Sequence, residues 1–331
     1  MNIFVTGASG FVGSAFVKHA AGRHAITAMS RSEASDAKIR AVGAEPVRSS
    51  LDDVAAAHLA GADAVVHCAA HVEDWGPWRD YWRFNVEGTK RMLAAAKEAG
   101  VRRFVHIGTE AALLHGQELR DADETYPLAL DSPFPYSRTK AFAEKSVREA
   151  NTPGFATIVI RPRFVWGPGD QTILPAIREM AARGQFAWIG GGRNRTSTTY
   201  IGNLSYAIEL ALTKGRSGEA YFVLDGPPVE FRDFLTRMAK ATGIVLPDRE
   251  ISGWLARSIG YAGETAWRTL PLKGRPPLTR FAANIMSRDC ILVDAKARRE
   301  MGYSPPFTIE QGLAELAAES RERSHASTSS A

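Results

Sequence analysis

The sequence predicts an α/β protein: a doubly wound parallel sheet with a smaller, partly interleaved C-terminal region. Three observations carry the prediction. Short apolar runs alternate with amphipathic stretches through the first half of the 331 residues. The first of these runs leads directly into a glycine triplet, "VTGASGFVG". Beyond about residue 165 the alternation gives way to helices set between Gly/Pro-rich turns.

The elements follow in order. "NIFVT" (2–6), "AITAM" (25–29), "AEPVR" (44–48), "DAVVHC" (63–68), "RFVHIG" (103–108) and "ATIVI" (156–160) read as strands. Most are β-branched and apolar, which suits parallel strands covered on both faces. Residues 11–22, 82–100 and 136–150 have helical periodicity, and strands alternating with helices make βαβ units. Further helices are expected near 171–183, 203–213, 230–242 and 308–319.

Composition narrows the function. The net charge is +5 and the isoelectric point about 9.2, but the basic residues are scattered, so nucleic acid is not the expected partner. The two cysteines, Cys68 and Cys290, match no metal-ligand spacing. A reduced chain with neither disulfides nor a metal is expected. The N-terminus lacks the pattern of a signal peptide, and no run of apolar residues is long enough for a transmembrane span. A cytoplasmic protein is expected.

The glycine triplet carries the first chemistry. Gly7 permits a tight turn, Gly10 lets a pyrophosphate approach the helix N-terminus, and Gly13 lets the helix pack close to the sheet. Ser9, Phe11 and Val12 belong to the same turn. This is a Rossmann-type dinucleotide fingerprint in its proper setting, after the first strand. An acid at the end of the second strand would hold a ribose 2′-hydroxyl. Here Ser30, Arg31 and Ser32 stand instead. A guanidinium between hydroxyls suits a 2′-phosphate, so NADP(H) is the expected cofactor. NAD is the alternative, with Glu33 on the ribose. The expected division is an NADP-binding domain over 1–165 with a returning segment near 196–225, a mainly substrate-binding region over 166–318, and a disordered tail over 319–331.

The ordered set "TGASGFVG", "HCAAH" (67–71), "FNVEGT" (84–89), "IGTEAA" (107–112), "YSRTK" (136–140) and "IRPRFVWGPGD" (160–170) resembles the extended short-chain dehydrogenase/reductase superfamily. "STTYIGNL" (197–204), "GEAYFVLDG" (218–226), "RPPLTR" (275–280) and "DAKARREMGYSPP" (294–306) are similar to its 3β-hydroxysteroid dehydrogenase-like branch. That branch also includes bacterial reductases of bulky 3-keto acids. The resemblance spans nearly the whole chain to about residue 318. It implies catalysis by Thr109, Tyr136 and Lys140, with Asn85 in support. It places Ala69, Ala70, Pro162 and Val165 along the cofactor. Ser49, Ser50 and Leu51 stand where many relatives carry Gly-Asp-Leu, which puts that adenine contact, here assigned to Leu51, in doubt. Asp52 and Asp53 are expected to cap the next helix.

The chemistry is consistent with that assignment. A tyrosine has a pKa of about 10, too high for a proton donor/acceptor at neutral pH. An ammonium ~4 Å away is worth about 4 kcal/mol at an effective dielectric of about 20, enough to lower that pKa by up to about three units. Tyr136 is therefore expected to be activated by Lys140, which also reaches the nicotinamide ribose, while Thr109 holds the substrate oxygen.

Three substrate-side segments are rich in aromatic and aliphatic residues: "WGPWRDYW" (75–82), "GQFAWIGGG" (184–192) and "SGWLARSIGYAGETAWRTLPL" (252–272). They suggest an apolar pocket with an amphipathic lid. Core packing explains them equally, and the third could instead rest on a membrane surface. The expected enzyme transfers hydride between NADP(H) and a ketone or secondary alcohol of a bulky apolar molecule, of the 3β-hydroxysteroid or 2-alkyl-3-keto acid kind. The alternatives are a nucleotide-sugar epimerase and a non-catalytic NADP-binding regulator. A dehydratase is disfavoured, because Ala111 stands where its second carboxylate belongs. A homodimer through the sheet-domain helices is the form common in relatives.

Overall fold

The computed structural model describes residues 1–270 and 272–328. Its centre is a seven-stranded parallel sheet. Strands β1 (Asn2–Thr6), β2 (Ala25–Ser30) and β3 (Glu45–Arg48) form one half, joined by helices α1 (Phe11–Ala20) and α2 (Glu33–Ala41). Strands β4 (Ala64–His67) and β5 (Arg103–Ile107) continue on the other side of β1. After β6 (Leu119–Ala122) comes β7 (Ala156–Pro162), which pairs with β5, and residues Glu219–Val223 add the edge strand beyond β7. The order from β3 is β2, β1, β4, β5, β7 and Glu219–Val223. This is the Rossmann-type order, with its switch point between β1 and β4.

Side-chain alternation explains how both faces of the sheet are covered. Ile3 and Val5 enter the core under α1, whereas Phe4 points to the opposite face with Val65, Phe104 and Met92. That opposite face is covered by α3 (Trp78–Tyr81), a π-helical turn (Trp82–Glu87), α4 (Gly88–Glu98) and α5 (Pro135–Glu149).

The C-terminal half is partly interleaved. A short strand β8 (Val165–Trp166) pairs with Thr199–Tyr200. Helix α6 (Ile173–Ala182) follows, and α7 (Ile201–Ala211) returns to pack on α1. Helices α8 (Phe231–Ala241), α9 (Gly253–Thr269) and α10 (Arg280–Ser287) build the outer region, with α9 against α10. A small sheet joins β6 to Cys290–Leu292, and the latter to Arg195–Thr196.

Two expectations change. Residues 319–331 were expected to be a disordered tail, but the last helix runs Ile309–Thr328, tied by Glu319 to Arg323 one turn on. Residues 329–331 lie outside those described. Asp52 does not cap a helix: its carboxylate pairs with Arg83 at 2.6 Å, while Asp53 accepts from the Ser50 amide and hydroxyl.

Arg161 of β7 and Glu144 of α5 form a bidentate ion pair with no solvent exposure on either side chain. Removing one partner of such a pair leaves an unpaired buried charge. Glu144→Gln is expected to cost about 3–5 kcal/mol of stability in urea unfolding, with the double variant Glu144→Met/Arg161→Met recovering most of the loss.

Candidate active site

The glycine turn is shaped for close approach. Gly7 has φ of 72°, and its amide neighbour Gly10 donates to the Gly7 carbonyl at 3.0 Å. A Cβ on Gly13 would lie 2.3 Å from the Gly7 oxygen, and one on Gly7 would lie 2.9 Å from the Ala69 nitrogen. Neither position tolerates a side chain. The turn, Ser9, Phe11, Val12 and the small residues Ala69 and Ala70 leave the backbone at the carboxyl ends of β1 and β4 open to a ligand of pyrophosphate type.

At the end of β2, Arg31 is exposed and has no side-chain partner among the described residues. Its neighbours are already engaged. Ser30 is buried and donates to the Ser32 carbonyl, and Ser32 caps α2 by accepting from the Ser35 amide at 3.2 Å. Glu33 is exposed in the first turn of α2. The Leu51 side chain is packed in the core against Gly88, where an added Cβ would meet it at 2.9 Å.

Below the glycine turn lies a buried polar row. In register, Thr6 of β1 sits beside His67 of β4, and His67 beside His106 of β5. His67 bonds to the Thr6 hydroxyl at 2.7 Å and to the Thr89 hydroxyl at 3.1 Å. Burial, and then the Lys140 charge, pull the His67 pKa down to about 3. The same causes hold His106 well below its ordinary value, so both rings are neutral. Lys140 reaches down from α5 to this row. Its Nζ donates to the Ile107 carbonyl at 2.8 Å and lies 3.5 Å from His106 Nε2.

Tyr136 stands in the first turn of α5, which opens with Pro135 at its first position. Thr109 follows β5 and caps a short turn over Glu110–Leu113, accepting from the Ala111 amide. Thr109 Oγ1 also donates to Glu110 Oε2 at 2.8 Å, and Glu110 Oε1 accepts from Arg163 Nη1 at 2.8 Å. The Phe281 ring of α10 meets the Tyr136 ring edge-on at 5.6 Å. Asn85, in the π-helical turn, bonds the His71 amide and carbonyl and donates to Thr139 Oγ1, which latches that turn to α5. Such turns recur at functional sites.

The electrostatics correct one expectation. Tyr136 does not have a lowered pKa here. Burial raises it, the Glu110 carboxylate raises it further, and only the Thr109 hydrogen bond works the other way. The Lys140 amine faces Ile107 and His106 rather than the phenol. Burial in turn brings Lys140 down to about 8, against the pull of Glu144 and Cys68. Thr109 is also constrained: its single proton is given to Glu110, so in this arrangement it accepts rather than donates toward a substrate oxygen.

The wall residues also sort out. Phe186 and Trp188 are core residues, stacked edge-on and buried against the main cluster, so that segment does not line a pocket. Trp75 lies under the Arg268 guanidinium of α9, and Tyr81 donates to the Glu73 carbonyl. On α9 the packed face is Ala256, Gly260 and Glu264, and Trp254, Leu255, Ile259 and Tyr261 are exposed. Pro162 ends β7, and Val165 begins β8 after a corner at Phe164, whose φ of 45° is rare for a bulky residue. Its ring is held by Phe231 and Phe234.

Glu110 had no role on sequence grounds, and Arg163 and His106 were not singled out. One signal was available for two of them. "RPR" puts two guanidiniums at the end of an otherwise apolar strand, and each needs a buried carboxylate.

A Rossmann-type sheet with a glycine turn after β1, a Thr at the end of β5 and a Tyr-x-x-x-Lys pair on the next helix defines an extended short-chain dehydrogenase/reductase. Residues 4–252 match the 3-beta hydroxysteroid dehydrogenase/isomerase family, and the chain belongs to that family. It is an oxidoreductase. It is similar to a 4-hydroxy-2-methyl-3-oxo-4-farnesyl-3,4-dihydroquinoline-1-oxide ketoreductase of Stigmatella aurantiaca, 39% identical over 316 residues and 95% of each chain. A 2-alkyl-3-oxoalkanoate reductase of Stenotrophomonas maltophilia is 38% identical over 97% of this chain and 99% of its own. Among solved structures, a dTDP-glucose 4,6-dehydratase of Streptomyces venezuelae with NAD bound superposes with a TM-score of 0.76 at 23% identity, covering 98% of each chain. Among the described residues, no helix is long and apolar enough to cross a membrane, and no group of three His, Cys, Asp or Glu is placed to hold a metal.

Lys140 gives a measurable pH signature. Its ordinary pKa is 10.5, and the fold lowers it to about 8. Between these values the unfolded chain holds a proton that the native state has lost, so this group makes stability rise with pH. The stability of the native protein relative to Lys140→Met, measured by urea unfolding, is expected to increase between about pH 8 and 10 and to be flat below about pH 7.

Proposed function

We propose that the protein is an NADPH-dependent reductase of bulky, largely apolar ketones, with Tyr136 as the proton donor. The observation that carries this reading is the placement of Tyr136 in the first turn of α5, four residues before Lys140, whose amine reaches the end of β5, with Thr109 just beyond that strand. The two similar ketoreductases named above favour the reductive direction and an apolar 3-oxo substrate. A nicotinamide, when bound, supplies the hydride.

The chain's own residues supply the rest. The carbonyl oxygen sits at the Tyr136 phenol, which gives up its proton as negative charge develops on that oxygen. Lys140 leaves the Ile107 carbonyl to meet the ribose hydroxyls and the phenol. Its amine bonds the Ile107 carbonyl beside the neutral His106. The ketone, the hydride and the Tyr136 proton together make a secondary alcohol, and Tyr136 is reprotonated from solvent. Phe281 beside the phenol, with the apolar residues of α9 and Trp75, forms the apolar side of the substrate site. Arg31, exposed and unpaired, is the group that receives a 2′-phosphate, while the exposed Glu33 is its competitor for a bare ribose.

Three experiments test this. NADPH oxidation is measured against ketosteroids, 2-alkyl-3-keto acids and nucleotide sugars. Net consumption with a ketone is expected, and reduction of none of the ketones would remove the assignment. With an active ketone, Tyr136→Phe is expected to lower kcat by about 10²- to 10⁴-fold at little change in KM. Arg31→Ala is expected to raise the KM for NADPH by about tenfold or more and to leave that for NADH unchanged, since a charge-assisted phosphate contact is worth about 1.5–3 kcal/mol. Equal effects on both cofactors would assign the 2′ position elsewhere.

A further inference from the structure

A cavity with an empty volume of about 310 Å³, its open mouth included, lies between α10, the residue before α5 and the corner after β7. Leu114, Phe134, Phe281 and Ile285 give it apolar walls, and the side chains of Arg163 and Arg288 line it as well. It adjoins the candidate reaction centre, because the Phe281 ring meets both the Tyr136 ring and the Phe134 ring edge-on at 5.6 Å. Each arginine brings an unused donor. The Nε atoms of Arg163 and Arg288 are buried and have no hydrogen-bond partner, and Arg163 as a whole is only 4% exposed.

Arg288 is the charge there without a partner. Arg163 is paired with Glu110 at 2.8 Å. Asp289 faces Arg120 at 3.3 Å, which it shares with Glu118, and accepts from the Arg195 amide at 2.9 Å. Burial pushes the Cys290 thiol up to about 12, so it is uncharged. Arg288 pairs with no carboxylate among the described residues. A long basic side chain at a surface ordinarily lays its stem on apolar groups and turns its charged head to water. Arg288, just after α10, instead buries its Nε at an apolar cavity. The neutral amides of the lining are engaged elsewhere. Gln117 donates to the Leu113 carbonyl and the Tyr126 hydroxyl, and Asn284 donates to the Arg280 carbonyl. The cavity thus offers apolar walls, two guanidinium N–H donors and an unpaired positive charge. A carboxylate on an apolar chain matches all three, since its oxygens accept both donors and its charge balances the guanidinium.

We propose that this cavity is a carboxylate site, in which Arg288 and Arg163 hold the acid group of an otherwise apolar substrate whose keto group lies at Tyr136. The cavity and the phenol share Phe281 as a wall, so one molecule reaches both. An apolar keto acid is thereby favoured over its own ester or amide. The use of the site for a substrate rests on Tyr136 being the reaction centre, whereas the binding of a carboxylate does not.

The test compares octanoate with octanamide, which differ in charge and little in shape, on full-length protein carrying 13C-methyl isoleucine. The Ile285 resonance is assigned from its loss in Ile285→Val. Octanoate is expected to move that resonance and to bind about tenfold or more tightly than octanamide, and Arg288→Gln is expected to abolish the preference. Equal affinity for the two, including no binding of either, overturns the proposal. So does a preference that persists in Arg288→Gln, or binding that leaves Ile285 unmoved. If Arg288→Gln does not fold, Arg288→Lys decides, because it keeps the charge and loses the guanidinium fork. Its affinity for octanoate is expected to fall at least about threefold, and an unchanged affinity overturns the proposal. The measurement needs neither cofactor nor turnover, so it fails separately from the assigned reaction. Binding without reduction of any ketone removes the reductase and leaves the site, and reduction of neutral ketones without binding does the reverse. Where a keto acid is reduced, Arg288→Gln is expected to raise its KM at least about tenfold more than that of its methyl ester. An equal effect on both overturns the assignment of the cavity to the substrate.

Discussion

Below the open glycine turn, at the carboxyl ends of β4, β5 and β7, polar and charged side chains are buried, and most of them find partners within the protein. This constraint organises the molecule. A buried unpaired donor or charge costs several kcal/mol, so the groups are joined in chains. Thr6, His67 and Thr89 make one, and Lys140 is joined to the edge of that row through His106. Thr109, Glu110 and Arg163 make another. Arg161 and Glu144 make a third, closed on itself. The first and third chains each cross between a strand and a helix, so the sheet and its covering helices are fixed by the same contacts that build the site.

The constraint also sets the resting charges. Both histidines are neutral because a charged ring beside Lys140 would have neither water nor a carboxylate to balance it. Lys140 has Glu144 one turn along α5, which partly offsets its own burial. Burial and the Glu110 carboxylate act on Tyr136, while the Lys140 amine bonds the Ile107 carbonyl. Proximity in sequence, Tyr136 four residues before Lys140, therefore does not set the phenol's affinity for its proton. The direction of the lysine side chain does, and that direction is toward the sheet.

Regular pattern made the sheet legible in the sequence. Strands β1 to β5 and β7 were marked by apolar, β-branched runs, and their observed limits differ from the expected ones by two residues or fewer. The glycine turn was legible because its steric demand is local. Gly13 faces the Gly7 carbonyl within one turn of chain. Features that depend on long-range packing were not. Phe186 and Trp188 have a composition that fits either a pocket or a core, and their contacts with residues of α6 and α8 decide for the core. Leu51 looked like a cofactor contact because of its place after β3, yet Gly88 on a distant helix leaves a hollow that its side chain fills. The polar tail composition after 318 did not reveal that the helix continues to Thr328. For Glu110 the sequence showed a carboxylate beside a reactive threonine. It did not show which arginine would claim it, since Arg161 and Arg163 are two residues apart and pair with acids on different elements.

The two arginines of "RPR" pair with carboxylates on different elements, because residues two apart on a strand share a face only while the strand is regular. Pro162 ends β7 and Phe164 adopts a left-handed φ, so the chain turns between them and Arg163 swings out of register with Arg161. Arg161 stays under α5 on Glu144, and Arg163 reaches across the strand end to Glu110. The turn is costly for a phenylalanine, by about 1 kcal/mol or more, and is held by the rings of Phe231 and Phe234 from α8. Packing in the outer region thereby supports a backbone conformation at the reaction centre. The same outer region places Phe281 against Tyr136, so the residues that would define substrate shape and those that orient the proton are held by one set of contacts.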